Sequence, residues 1–147
     1  MLMTRGSRLA IEALIELADL GSGKWITSEA LSRGTTGDLP FLQQILNRLV
    51  GKGFVRSKQG RGGGYQLACD PKKVTLQAVI DAIEGIGARK CLLDSTDCNG
   101  WKGCRLAPTW HPVRETLIAF LDMETIHSVA ERSRGAVDRF RLSDLNG

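Results

Sequence analysis

The chain has 147 residues, of which 42% are hydrophobic and 24% charged. This balance fits one globular domain with an added arm or interface helix and argues against a disordered or fibrous chain. Lys and Arg number 20 against 16 Asp and Glu, and the resulting net charge of +4 permits nucleic-acid binding without requiring it. No apolar run approaches the roughly 18 residues that cross a bilayer, and the first residues lack a signal peptide's order of basic, apolar and small segments, so a cytoplasmic protein with no membrane partner is expected.

Residues 4–20 carry Leu9, Ala10, Ala13, Leu14, Leu17 and Ala18 at the spacing of one helical face, and Gly21-Ser22-Gly23 ends the run. Thr27 or Ser28 can cap a short helix to about residue 33, with Glu29 in the first turn, where an acid suits the helix dipole. Gly34-Thr35-Thr36-Gly37 forces a turn. Asp38 as N-cap and Pro40 in the first turn open a third helix bearing Phe41, Leu42, Ile45, Leu46, Leu49 and Val50, which ends at Gly51 or Gly53. The surface left on it is Gln43, Gln44, Asn47 and Arg48, four side chains that can hydrogen-bond base edges or phosphates, with no acid among them.

Two short extended runs follow, 54–58 and 65–69, joined by Gln59-Gly60-Arg61-Gly62-Gly63-Gly64. Arg56, Lys58 and Arg61 make this a basic hairpin with a glycine tip that lets backbone approach phosphates closely. A helix-turn-helix followed by such a hairpin is the order of a winged helix-turn-helix, whose third helix enters the major groove. The Gly-rich tip lacks the Gly-Lys-Ser/Thr ending of a phosphate-binding P-loop and joins two strands, which argues against a nucleotide site. Thr75 can cap a further helix through Leu76, Val79, Ile80 and Ile83 to Gly85.

Cys91, Cys98 and Cys104 then fall within fourteen residues of loop-like sequence. In a reducing compartment clustered thiols point to a thiophilic metal centre before disulfides. A zinc site with His111 as fourth ligand is one alternative, but zinc ligands usually pair as C-x2-C, and the gaps here are six and five residues. Iron-sulfur clusters accept wider loops and are the favoured reading. Cys69, at the end of a strand, reads as a buried thiol, and His127 as a surface or interface histidine.

A last helix is expected from between Pro108 and Pro112 to about residue 130, carrying Trp110, Val113, Leu117, Phe120, Leu121 and Met123 or Ile126, a stripe suited to a partner. A loosely held polar tail follows. The expected fold is therefore mainly α with a small β-hairpin, a winged helix-turn-helix plus a long C-terminal dimerisation helix. Its segments are a DNA-binding domain over 1–85, a cysteine loop over 86–107, the dimerisation helix over 108–130 and the tail over 131–147.

Leu39-Pro40-Phe41-Leu42-Gln43-Gln44-Ile45-Leu46, then Gly60-Arg61-Gly62-Gly63-Gly64-Tyr65, then the three cysteines followed by Trp110, give a sequence that resembles the Rrf2 family of bacterial transcription regulators, which includes iron-sulfur repressors of the IscR, NsrR and RirA kinds. The resemblance covers roughly residues 1 to 130. It implies a homodimer that binds a palindromic operator in double-stranded DNA and carries a 2Fe-2S or 4Fe-4S cluster sensing iron, redox state or nitric oxide. Residue by residue, Cys91, Cys98 and Cys104 match the cluster ligands, Gln43 and Gln44 match recognition-helix positions, and Arg61 lies in the wing tip. The family's fourth ligand does not carry over: Ala107 stands where IscR-like members have histidine, and Arg8 where NsrR-like members have aspartate. His111, Glu12, Asp94 and Asp97 are the candidates to replace it. The expectation is a regulator and not an enzyme. The alternatives are a thiol-based or zinc-stabilised DNA binder without a cluster and, in another class, an iron-sulfur oxidoreductase or cluster-transfer protein.

Overall fold

The computed structural model describes residues 3–85 and 104–139, and in it each of the first four helices starts at a side-chain cap. Helix α1 (Arg5–Leu20) begins where the Thr4 hydroxyl accepts from the Ser7 N–H. Thr27 caps α2 (Ser28–Ser32) at Ala30, Asp38 caps α3 (Leu39–Gly51) at Phe41, and Thr75 caps α4 (Leu76–Glu84) at Ala78. Each such cap satisfies an otherwise orphaned N–H and contributes about 1 kcal/mol. Strands β1 (Val55–Lys58) and β2 (Gly64–Leu67) form an antiparallel hairpin in the register Val55 to Leu67 and Lys58 to Gly64. The strands are shorter than the runs expected from sequence.

Helix α1 is the axis of the core. Its Leu9, Ala10, Ala13, Leu14 and Leu17 are buried against Leu31 of α2, Leu42, Ile45, Leu46 and Leu49 of α3, Val55, Val74 and Val79. Burying a side chain of this size stabilises by about 1.5–3 kcal/mol, so this interlock fixes the angle at which α3 crosses the body. Gly6 lies where three helices meet: a Cβ on it would sit in van der Waals contact, 3.4 Å from both Ile45 of α3 and Ile83 of α4.

The C-terminal part departs from expectation. Over the described residues, the single helix expected across 108–130 and the start of the loose tail expected from 131 are replaced by α5 (Ala107–Met123), a break at Glu124-Thr125, and α6 (Ile126–Arg139); residues 140–147 of that tail lie outside the described residues. The break is built, because Glu124 is extended and Thr125 pairs with Thr75, with Leu76 N donating to Glu124 O at 2.8 Å and Ile126 N to Val74 O at 2.9 Å. Thr125 and Ser128 cap α6 reciprocally: Ser128 N donates to the Thr125 hydroxyl at 3.1 Å, and Thr125 N to the Ser128 hydroxyl at 3.0 Å. Ile126 and Ala130 are buried, the former in the main core, and Arg134 pairs with Asp19 of α1 at 2.7 Å. The described part of the expected tail is thus helix packed on the body.

Candidate DNA-binding face and cysteine segment

Helix α3 buries its apolar face and leaves Gln44, Asn47 and Arg48 exposed. Gln43 is half-buried and donates to the Ser28 hydroxyl at 3.2 Å, which ties α3 to the start of α2. Its carbonyl oxygen and second amide N–H have no hydrogen-bond partner among the described residues. The Arg48 guanidinium also donates to the Ile83 carbonyl at 3.4 Å, joining α3 to the last turn of α4. Arg5, which sequence reasoning did not single out, lies over the Phe41 ring at 5.1 Å and pairs with Asp38 at 3.4 Å, adding a cation near the start of α3.

The hairpin follows α3 directly, with Phe54 N donating to Leu49 O at 3.0 Å, and Arg56, Lys58 and Arg61 are exposed on it. It is held from the other side by a single-residue pairing absent from the sequence reading: Ile26 N donates to Tyr65 O at 3.1 Å and Tyr65 N to Ile26 O at 2.7 Å. Gly64 permits this approach, since its φ is 131° and a Cβ there would lie 2.3 Å from the Ile26 carbonyl oxygen. The Lys58 ammonium sits 5.9 Å from the Trp25 ring centre. Arg56 Nε donates to Gln66 Oε1 at 2.6 Å, and Gln66 Nε2 donates to the Lys24 carbonyl at 3.3 Å. Helix, wing and the 24–26 segment are one braced unit.

At the other end, Cys104 is half-buried, immediately before α5, and is not in a disulfide. Cys91, Cys98, Asp94 and Asp97 lie outside the described residues, and among the described residues no group of three potential ligands forms a metal site. Ala107 is the first residue of α5 and His111, half-buried, is one turn further on. Glu12 is engaged elsewhere: it accepts from the Thr36 N–H at 2.9 Å and the Thr36 hydroxyl at 2.8 Å, and pairs with Arg8 at 2.8 Å. Partial burial works to raise its pKa, but the Thr36 and Arg8 hydrogen bonds and the Arg8 charge together outweigh it, so the carboxyl titrates below its ordinary value. Cys69 behaves as a structural thiol, since burial and the nearby Asp70 charge push it up and its Sγ donates to the Phe54 carbonyl at 3.4 Å.

Two features near the cysteine segment escaped sequence reasoning. The Trp110 indole N–H is buried with no hydrogen-bond partner among the described residues. Glu84, the last residue of α4, accepts from the Thr4 N–H at 2.7 Å and from the Ser7 hydroxyl. An acid is misplaced at the C-terminal end of its own helix but well placed at the N-terminal end of α1, whose first turn holds no acid. Thr4, Gly6, Gln44, Arg48, Ile83 and Glu84 line a cleft of about 320 Å³ where α1, α3 and α4 converge, one residue before the chain leaves for the cysteines.

The Rrf2 family profile, described as an iron-dependent transcriptional regulator, matches residues 3–132. The HTH-type transcriptional regulator IscR of Photobacterium profundum is 30% identical over 127 residues, which is 86% of this chain and 73% of that protein. The structure of CymR, the global cysteine regulator of B. subtilis, superposes with a TM-score of 0.73 at 21% identity, covering 88% of this chain and 96% of that one. The T. potens IscR structure gives a TM-score of 0.72 at 19% identity, covering 91% and 89%. With its winged-helix head and a profile match over most of its length, this chain belongs to the Rrf2 family of DNA-binding transcriptional regulators.

Proposed function

We propose that this regulator holds an iron-sulfur cluster on Cys91, Cys98 and Cys104 and that the state of the cysteine segment sets how tightly the winged head binds a palindromic operator. The observation that carries the reading is the junction at the end of α4, where Glu84 caps α1 and Arg48 of α3 reaches the Ile83 carbonyl. Any force on the chain as it leaves Gly85 acts on the same turn that positions an exposed residue of the DNA-facing helix. The donor set fits the cofactor: three thiolates on a short segment, with the orphaned Trp110 N–H close in sequence and of the kind that hydrogen-bonds cluster sulfur. When bound, the cluster supplies a cross-link between the thiolates that is sensitive to oxidant, nitric oxide and iron supply.

Gln44, Asn47 and Arg48, with the remaining donors of Gln43, face the major groove, and Arg56, Lys58 and Arg61 face phosphates. The homodimer contact lies on α5, where Leu106, Val113 and Phe120, one heptad apart, are exposed together with Met123. Two-fold pairing there presents two heads to two half-sites. Glu12 could serve as the fourth ligand only by giving up Thr36 and Arg8, and His111, Asp94 and Asp97 are the other candidates.

The second reading, a thiol- or zinc-based regulator without a cluster, is favoured by Ala107 at the family's histidine position. Anaerobic purification with visible absorption and iron, sulfide and zinc analysis separates the two. The cluster reading predicts a coloured protein with iron and sulfide, both lost in Cys98→Ala; a colourless wild-type protein with zinc or no metal overturns it.

A further inference from the structure

We propose that Gln66 is a positioning residue for DNA binding, holding Arg56 of the wing where its guanidinium meets a backbone phosphate. The inference rests on the DNA-binding reading of the wing. Gln66 is only 5% exposed, and a buried amide is costly unless both of its ends are bonded. Both are: the N–H end donates to the Lys24 carbonyl and the oxygen accepts from Arg56 Nε.

The anchor behind this contact is rigid. Arg56 and Gln66 are directly opposed in the hairpin register, so the pair forms without a long search. Lys24 belongs to the segment that Ile26 clamps to Tyr65, and Gly64 lets that backbone come close. Gln66 is therefore fixed on its far side before it meets Arg56.

The contact engages the guanidinium at Nε alone. An exposed arginine loses rotamer entropy when it is fixed on binding. Accepting from Nε removes part of that cost in the free protein and leaves the terminal N–H donors for a phosphate oxygen. A glutamate in the same place would hold the arginine but neutralise it; the uncharged amide holds it and leaves its charge to the DNA.

The test uses the full-length protein and a duplex selected from a random-sequence pool by the wild type, with affinity measured across a salt series. Arg56→Ala is expected to weaken binding about tenfold and to reduce the salt slope by about one. Gln66→Leu is expected to weaken binding by a similar factor, and the double variant should be no worse than either single one. Additive losses, or wild-type affinity in Gln66→Leu, would overturn the proposal and leave Gln66 as a brace of the hairpin only. If Gln66→Leu does not fold, as judged by thermal melting, Gln66→Met takes its place in the cycle. A wild type whose binding does not respond to salt would instead remove the DNA-binding reading, and this proposal with it.

Discussion

Helices α3 and α5 each present a face that no described residue covers, and the two faces are chemical opposites. On α3 the apolar side packs inward, with Leu42, Ile45, Leu46 and Leu49 buried, and the uncovered side is Gln44, Asn47 and Arg48. On α5 only Leu121 is buried, packed with Ile80, Leu117 and Ile118 toward α4 and α1, and the uncovered side is Leu106, Val113, Phe120 and Met123. A polar, acid-free face beside a basic wing fits a polyanion, whereas an apolar face on a helix of this length fits a second copy of itself. What a helix leaves bare states the chemistry of the absent partner.

The largest test of that contrast strikes α5. Phe120→Glu places a charge in the middle of the apolar face and should convert a dimer to a monomer by analytical ultracentrifugation, with operator affinity falling about a hundredfold or more as the tethering of two heads is lost. A dimer that survives would show that this face of α5 is not the contact between copies. On α3, Gln44→Ala should cost about 1–3 kcal/mol at its base pair and relax sequence preference there, without changing the oligomeric state. Arg61→Ala at the wing should weaken all duplexes alike and lower the salt slope by about one, the signature of a lost phosphate contact.

Smaller effects locate the edge of the DNA-reading unit. Ser128→Ala removes the hydroxyl that accepts from the Thr125 N–H, one half of the reciprocal cap of α6, and should lower stability by up to about 1 kcal/mol while leaving DNA affinity unchanged; a large affinity loss would mean that α6 takes part in reading. Glu12 sharpens the junction of α1 with the turn before α3. Its folded-state pKa is depressed, so its contribution is present above the ordinary carboxylate value and is lost as pH falls through the depressed one. Glu12→Gln should therefore lower the melting temperature at neutral pH and have little effect in acid, and an equal effect at both would contradict the Thr36 and Arg8 bonding.

The head was readable because its signals are local. Thr27, Asp38 and Thr75 were visible as caps, and each does cap its helix. The glycine tip between two short extended runs does make a hairpin. The end of α5 is not legible in the sequence because Thr125 and Ser128, an ordinary capping pair, sit inside a continuing apolar stripe. Ile26 pairs with Tyr65 through one residue and has no periodicity to detect. Glu84 and Gln66 act on residues far away in the chain, Ser7 and Lys24, so their roles exist only once the fold brings these groups together. The three cysteines were legible as residue type and spacing. A fourth ligand depends on which side chains meet them in space, and spacing along the chain does not specify that.

We propose that the cysteine segment controls the DNA-reading face. It is tested most directly by titrating one selected duplex, under anaerobic conditions and at one salt concentration, with wild-type protein as purified, the same protein after chelation of its metal, and Cys98→Ala. The first should differ from the other two by about fivefold or more in affinity, the lower end of ordinary coupling between sites. Identical affinities in all three would contradict it.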